Sequence, residues 1–175
     1  GELAPVGDYE RSTDEHHDGK YSAKITKPSA NGVMGIYSAG SFGVNEYRMY
    51  TAEAYVYTAD STLNPELYIE FFDVYSLSCG SFKVSGTAGK GKWEKLSVTA
   101  LAPKGAVMAR VMPHIGEGSY GTMYVDAVTL TKKSMLDNGD FDEGIDSWEA
   151  SSGSISHENE MLKISGGTAF TNTHY

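Results

Sequence analysis

The chain has one cysteine, no basic cluster and no long apolar run, and each shortage argues against a class of protein. Cys79 has no second cysteine to pair with, and no Cys/His spacing resembles a zinc site, so stability must come from a packed core. Acidic residues outnumber basic ones by 23 to 14, for a net charge of −9, and Lys and Arg form no stripe that could neutralise phosphates. No apolar run approaches the roughly 20 residues that span a bilayer. The composition therefore argues against nucleic-acid and membrane partners.

A helical pattern is also missing, whereas β-forming residues are common. The 175 residues include 12 Tyr and 20 Gly, and short stretches of alternating apolar and polar residues are separated by Gly, Pro, Asn and Asp. Short connections of this kind join antiparallel neighbours. The alternating stretches predict seven strands, at residues 20–26, 33–38, 50–57, 67–73, 92–99, 106–114 and 122–131. We therefore predict an all-β fold, an antiparallel β-sandwich.

The sequence contains a weak internal repeat. Residues 161–164 (Met-Leu-Lys-Ile) resemble residues 22–25 (Ser-Ala-Lys-Ile), and the difference between 161 and 22 gives an offset of 139 residues. The alternative is chance similarity, since only two of these four residues are identical. Carried backward, the offset places residues 138–142 at or just before residue 1. We therefore predict a β-sandwich over residues 1–133 that lacks its usual first strand, and the opening strands of a second repeat over residues 134–175.

Three predicted strands carry aromatic and charged residues on the face that leaves the core. Alternation along a strand places one set of residues in the core and the other set outside. The predicted core residues are Ala52, Ala54, Val56, Leu67, Ile69, Phe71, Val107, Ala109 and Val111. The residues predicted to form a carbohydrate-binding surface are Glu53, Tyr55, Tyr57, Tyr68, Glu70, Phe72, Arg110, Met112 and His114.

This outward set suits a sugar ligand. Pyranose rings present flat C–H faces that stack on aromatic rings, and their hydroxyls hydrogen-bond to carboxylate and guanidinium groups. The alternative is that these rings are the half-exposed aromatics that sheets favour through cross-strand pairing. Trp93 follows a Gly-Lys-Gly turn, and we interpret it as core or edge packing.

Catalysis is not predicted. The densest polar cluster, residues 14–18 (Asp-Glu-His-His-Asp), precedes a strand. The sequence has no second group of residues that would complete a catalytic site with it, so a solvated loop explains the cluster. Glu53 and Glu70 are candidates for the carboxylate pair of a glycosidase. Hydrogen bonding to a bound glycan accounts for both with fewer assumptions.

Six segments stand in an order typical of one superfamily. They are residues 19–22 (Gly-Lys-Tyr-Ser), 50–57, 67–73, 93–98, 124–130 and 138–142 (Asn-Gly-Asp-Phe-Asp), the last followed by Trp148. Together they resemble the cellulose-, xylan- and glucan-binding modules of the jelly-roll carbohydrate-binding superfamily, which includes families 4, 9, 16 and 22. The chain departs from that pattern at Asp142, where Glu is usual, and at Ala127, where a second Asp is usual.

The resemblance implies a jelly roll in which strands 50–57, 67–73 and 106–114 share one concave sheet. That sheet would form a groove for a polysaccharide of the β-glucan, cellulose or xylan class. The implied function is a non-catalytic module, secreted or attached to the cell surface, that targets an attached enzyme to plant or microbial polysaccharide. The alternative is a structural or adhesive repeat of a cell-surface protein without a glycan site.

The resemblance also implies a structural ion and a strand exchange. A Ca²⁺ ion would tie the opening strand to the closing one through Asp142, Asp126 and the loop at Asp18. Because the sandwich lacks its first strand, the segment 138–148 is expected to fill the gap, within one chain or by exchange between chains.

Overall fold

A computed structural model describes residues 7–40, 42–87, 89–133, 148–150, 153–158, 161–166 and 169–171. The chain divides into two compact units, Gly1–Lys132 and Lys133–Tyr175. Every regular element of the described residues is a strand, and none is a helix long and apolar enough to cross a membrane. The all-β prediction is confirmed.

The described part of the first unit forms two antiparallel sheets. Its strands are β1 (Asp8–Ser12), β2 (Ser22–Lys27), β3 (Met34–Gly35), β4 (Phe42–Gly43), β5 (Met49–Tyr57), β6 (Pro65–Phe72), β7 (Ser78–Ser85), β8 (Glu94–Leu101), β9 (Met108–Ile115) and β10 (Gly121–Lys132). The first sheet has the order β1-β2-β10-β5-β8. The second sheet has the order β3-β9-β6-β7, and β4 also pairs with β9. The antiparallel sandwich is thus confirmed.

The core lies between the inner faces of the two sheets. Burial alternates residue by residue along β5, β6 and β9, as the sequence predicts for strands with one face inside. The fully buried Phe71 in β6 contacts the ring of Tyr50 in β5 edge-on, with 6.2 Å between centroids. Burying a side chain of this size contributes about 2–3 kcal/mol to folding. The two sheets are therefore held together by the alternating inner residues of their central strands.

The strands differ from the prediction in four places, one of which is β4 (Phe42–Gly43), a two-residue strand that the alternating stretches do not include. Val107 is 41% exposed and lies ahead of β9, which begins at Met108, two residues later than predicted. β7 was not predicted because its sequence, Ser-Cys-Gly-Ser-Phe-Lys-Val-Ser, has little apolar alternation. β1 was not predicted either, and four of its five residues are exposed at the edge of the first sheet.

The predicted grouping of three strands in one sheet is wrong. β5 pairs with β8 and β10 in the first sheet, whereas β6 pairs with β7 and β9 in the second. The connection 58–64 carries the chain from one sheet to the other. It stays anchored to the first sheet because the Thr58 hydroxyl donates to the Thr122 carbonyl of β10 at 2.9 Å. Alternation tells which residues face inward, but it does not tell which sheet a strand joins.

β10 is paired unequally on its two sides. Residues 121–125 pair with β2 on one side, whereas pairing with β5 on the other side extends from Tyr124 to Lys132. The register with β5 shifts between Asp126 and Thr129, and Ala127 has a φ of 49°, which marks a β-bulge. Among the described residues, none pairs with residues 127–132 on the β2 side.

The described part of the second unit contains two strand pairs. Its strands are β11 (Trp148–Ala150), β12 (Ser154–Glu158), β13 (Met161–Ser165) and β14 (Ala169–Thr171). β12 pairs with β13, and β11 pairs with β14. At the offset of 139 residues β13 corresponds to β2, and each is preceded in the chain by its antiparallel partner. The repeat itself stays a prediction, and the segment 138–147 lies outside the described residues.

Candidate binding surface

The outer face of the second sheet brings together six of the nine residues predicted to bind carbohydrate. They are Tyr68, Glu70 and Phe72 of β6 and Arg110, Met112 and His114 of β9. The antiparallel register sets them in rows, with Tyr68 opposite Met112, Glu70 opposite Arg110, and Phe72 opposite Met108. All six are half-buried, so each presents part of its side chain to solvent.

At one end of this face, Glu66 organises a network of four side chains. Glu66 Oε2 accepts a hydrogen bond from the Tyr68 hydroxyl at 3.1 Å, and His114 Nδ1 lies 3.2 Å from the same oxygen. Lys83 Nζ donates to Glu66 Oε1 at 2.7 Å. Burial raises the pKa of Glu66, but the bonds from Lys83, His114 and Tyr68 outweigh it, so this pKa lies below its usual value. The ring of Tyr68 is thus held by its hydroxyl, by the His114 ring edge-on at 5.1 Å, and by Lys83 above it.

At the middle of the face, a guanidinium lies close to two aromatic rings. Arg110 Cζ lies 4.9 Å from the Phe72 ring centroid and 5.2 Å from that of Tyr37, within the range of cation–π attraction. Glu70 stands directly opposite Arg110 in the register. Among the described residues, neither the Glu70 carboxylate nor the Arg110 guanidinium has an ion pair or hydrogen bond. An acceptor and a donor are therefore open to a ligand beside exposed rings.

Three residues of this face were not predicted from the sequence. Glu66 continues the outward alternation of Tyr68 and Glu70, but the strand was predicted to begin after it, at Leu67. Lys83 lies on the unpredicted β7, opposite Tyr68. Tyr37 is 60% exposed in the segment after β3, and nothing in its local pattern shows that its ring reaches Arg110. Of these three residues, only Glu66 can be predicted from the sequence, by extending the alternation of the strand 67–73 one residue toward the N-terminus.

The other three predicted residues, Glu53, Tyr55 and Tyr57, lie on the outer face of the opposite sheet. The rings of Tyr55 and Tyr57 already have partners there. Tyr55 stacks on His17 with centroids 3.6 Å apart, and Tyr57 contacts Trp93 at 5.8 Å and Tyr124 at 5.9 Å. The prediction that all nine residues line one groove is therefore wrong, because β5 belongs to the first sheet.

The charge at Glu53 is also satisfied within the chain. Its Oε1 pairs with Lys95 at 2.9 Å and accepts a bond from the Ser97 hydroxyl at 3.3 Å. Glu53 and Glu70 extend from different sheets and cannot act as one glycosidase pair.

The residues predicted to bind calcium are only partly described. Asp126 Oδ2 accepts backbone N–H bonds from His17 and Asp18, both at 2.9 Å, and its Oδ1 accepts one from Ala127 at 2.7 Å. Burial raises the pKa of Asp126, but these backbone bonds outweigh it and hold the pKa below its usual value. Asp18 Oδ1 accepts a hydrogen bond from the backbone N–H of Gly19. Asp142 lies outside the described residues.

The described donors do not make a metal site by themselves. No group of three or more His, Cys, Asp or Glu side chains in the described ranges is placed to hold an ion. The 14–18 loop instead packs against the first sheet: Asp14 pairs with Lys24 at 3.0 Å, and the His17 ring covers Tyr55. Asp126 acts here as an anchor for this loop.

Comparison with known proteins identifies the fold. No family model and no curated protein matches the sequence. The enzymatically active domain of tailspike protein 4 of bacteriophage CBA120 aligns with a TM-score of 0.61 and 14% identity, over 74% of this chain and 18% of that one. The chain thus spans less than a fifth of that protein.

Two carbohydrate-binding modules match over most of their own length. A family 16 carbohydrate-binding module aligns with a TM-score of 0.54 and 10% identity, over 70% of this chain and 84% of the module. The CBM22-1 xylan-binding domain of Paenibacillus barcinonensis Xyn10C aligns with a TM-score of 0.52 and 12% identity, over 72% of this chain and 81% of the domain. The chain has the jelly-roll fold of carbohydrate-binding modules.

Proposed function

We propose that the first unit is a non-catalytic carbohydrate-binding module that binds a polysaccharide through the outer face of the second sheet. The observation that carries the proposal is the pair formed by Glu70 and Arg110. The two stand opposite each other, have no ion pair or hydrogen bond to the described residues, and lie beside the rings of Tyr68, Phe72 and Tyr37.

The chemistry of this face fits a chain of sugar rings. Arg110 donates hydrogen bonds in a fixed plane and Glu70 accepts them, so adjacent hydroxyls of one pyranose can pair with both groups. The rings of Tyr68 and Phe72 offer apolar surface to the C–H faces of the same or the next sugar. The Glu66 network keeps Tyr68 in place before the ligand arrives, which lowers the entropy lost on binding.

The proposed ligand belongs to the β-glucan, cellulose or xylan class. Support comes from the fold shared with modules that include a xylan-binding domain. The module would act outside the cell, secreted or attached to the surface, and would hold an attached enzyme near its polysaccharide by raising the effective concentration.

Affinity electrophoresis tests the proposal. The whole chain is run through gels containing xylan, β-glucan, soluble cellulose derivative or mannan, alongside Arg110→Ala and the matched cation variant Lys95→Ala from the first sheet. We expect retardation in at least one gel, its loss in Arg110→Ala, and its retention in Lys95→Ala. If no polysaccharide retards the chain, the structural or adhesive alternative replaces this proposal.

The non-catalytic part of the proposal has a separate test. Incubation of the chain with the retarding polysaccharide should release no reducing sugar above a boiled control. Release that is lost in Glu70→Gln would show that the face is an active site.

Calcium binding at Asp18, Asp126 and Asp142 remains a proposal of its own. An ion bound only to the folded state stabilises it, by about 2.7 kcal/mol at a hundredfold excess over Kd. Adding Ca²⁺ to chelator-treated protein should therefore raise the Tm, and Asp142→Asn should remove the rise. A Tm that does not respond to Ca²⁺ contradicts the proposal.

A further inference from the structure

A lysine is buried at the end of β2, and its side-chain nitrogen faces backbone oxygens. Lys27 is 3% exposed. Its Nζ donates hydrogen bonds to the carbonyls of Ser119 at 2.6 Å, Gly116 at 2.8 Å and Ala30 at 3.2 Å. A lysine ammonium has three N–H donors, so three acceptors match the charged form of the side chain. Lys27 thus fills a cage of carbonyl oxygens as a small cation would.

The carbonyl cage is what makes this buried charge tolerable. Burying a charge costs free energy unless hydrogen bonds satisfy it. Within the part of the chain that the structure describes, Lys27 forms no ion pair with a carboxylate. Burial lowers the pKa of Lys27, and the charge of Glu117 offsets only part of that effect. The three carbonyls therefore carry most of the stabilisation of the ammonium.

Two of the three carbonyls belong to one tight turn, Gly116–Ser119, between β9 and β10. The Ser119 amide donates to the Gly116 carbonyl at 3.3 Å. Gly118 has a φ of 81°, which glycine adopts without strain, and its amide donates to the Ala30 carbonyl at 2.8 Å. Lys27 binds the first and the last residue of this turn. It therefore fixes where the turn lies relative to the end of β2.

The turn confines the carboxylate that organises one end of the binding face. A Cβ added to Gly116 would lie 3.0 Å from Glu66 Oε2 and 3.3 Å from Glu66 Oε1, so the backbone here leaves no room for a side chain. The same carboxylate holds the Tyr68 hydroxyl and the His114 ring. A continuous path of contacts thus runs from Lys27 through Gly116 and Glu66 to the ring of Tyr68.

We propose that Lys27 is a built-in structural cation that positions the binding face. Its ammonium holds the turn, the turn confines the Glu66 carboxylate, and the carboxylate keeps the Tyr68 ring in place. The effect on affinity rests on the proposed function, whereas the positioning of Glu66 needs no ligand. Once the lysine side chain is removed, the cage is a binding site for a small alkylammonium ion.

Two matched variants of the whole chain separate this lysine from its neighbour on the same strand. Lys27→Met keeps an apolar stem and removes the three donors. The Gly116 carbonyl still accepts the bond from the Ser119 amide, so the turn should form and the variant should fold. Lys24→Met is the control, because the Lys24 ammonium pairs with Asp14 at 3.0 Å and does not reach the cage.

NMR measures the positioning without a ligand. The ring resonances of Tyr68 and His114 should shift in Lys27→Met and stay in place in Lys24→Met. For a polysaccharide that retards the wild type, the Kd should rise at least about fivefold in Lys27→Met, the equivalent of about one hydrogen bond, and should not change in Lys24→Met.

Chemical rescue separates the charge of Lys27 from its volume. Lys27→Ala removes the atoms from Cγ to Nζ, which propylammonium replaces. Added propylammonium should return the Tyr68 and His114 resonances of this variant to their wild-type positions. Propan-1-ol, which has the same length and no charge, should not.

Three results would overturn the proposal. The first is a set of Tyr68 and His114 resonances that does not move in Lys27→Met. The second is equal rescue of Lys27→Ala by propan-1-ol, since the cage would then need volume and not charge. The third is an unchanged spectrum for Gly116→Ala, whose new Cβ meets the Glu66 carboxylate while the cage stays intact. If no polysaccharide binds the wild type, the proposed function fails, and the ring resonances still decide the role of Lys27.

Discussion

The outer faces of the two sheets have similar compositions but different contacts. On the first sheet, the rings of Tyr55, Tyr57 and Trp93 lie against other rings, and Glu53 is paired with Lys95. On the second sheet, Glu70 and Arg110 have no ion pair or hydrogen bond to the described residues. Composition alone makes both faces candidates for binding sugar, and the state of their contacts separates them.

The difference shows what an outward aromatic residue can do. A ring that already packs on a neighbour contributes to stability, because aromatic pairs add about 0.5–1.5 kcal/mol beyond area burial. A ring with an open face can instead contribute to ligand binding. We therefore expect substitution of the packed rings on the first sheet to change stability, and substitution of Tyr68, Glu70 or Arg110 on the second sheet to change affinity.

The largest change in stability is expected from Tyr57→Ala on the first sheet. This substitution removes the contacts of the Tyr57 ring with Trp93 and Tyr124. Because each aromatic pair contributes about 0.5–1.5 kcal/mol, the loss of two pairs should lower the free energy of unfolding by about 2 kcal/mol. Urea denaturation measures the loss, and Tyr57→Phe serves as the control because it keeps the ring. A loss below about 0.5 kcal/mol would mean that this face is not held together by its rings.

A smaller change in stability is expected from Glu66→Gln on the second sheet. The amide keeps a hydrogen-bond acceptor for Tyr68 but removes the charge that faces Lys83 and His114. Because the Lys83 side chain is 49% exposed, solvent screens part of the pair, and we expect a loss of about 1 kcal/mol at neutral pH.

The pH dependence of this loss follows from the lowered pKa of Glu66. A carboxyl whose pKa is lower in the folded state stabilises the fold above its unfolded value, here 4.5. That stabilisation disappears as the pH falls from this value through the folded pKa. Urea curves of wild type and Glu66→Gln should therefore differ at pH 7 and converge in strong acid. A difference that persists unchanged below pH 4.5 would contradict the assignment.

The smallest change is expected from Glu53→Gln on the first sheet. The carboxylate pairs with Lys95, whose side chain is 47% exposed, and exposed pairs contribute little. The free energy of unfolding should change by less than about 0.5 kcal/mol. Retardation by polysaccharide should not change, whereas Glu70→Gln should weaken it. If Glu53→Gln weakens retardation as strongly, the two faces are not functionally distinct.

Much of the fold follows from local patterns, whereas the grouping of the binding residues does not. Alternation correctly predicts that Tyr55 and Tyr68 face outward and that Ala54 and Ile69 face the core. Alternation does not predict which of the two sheets a strand joins, because that depends on the path of the connecting segments. Residues 58–64, which connect β5 to β6, have no pattern that specifies a crossing between sheets. Tyr37 reaches Arg110 from a separate segment, so only the folded chain shows their contact.

Isothermal titration of Tyr68→Ala and Tyr55→Ala with the retarding polysaccharide tests the central claim most directly. Both are outward tyrosines on central strands, and the sequence alone gives them the same role. We expect Tyr68→Ala to raise the Kd at least tenfold, about 1.4 kcal/mol, and Tyr55→Ala to leave it within about twofold of wild type. Equal losses in both variants, or a loss in Tyr55→Ala alone, would contradict the assignment of binding to the second sheet.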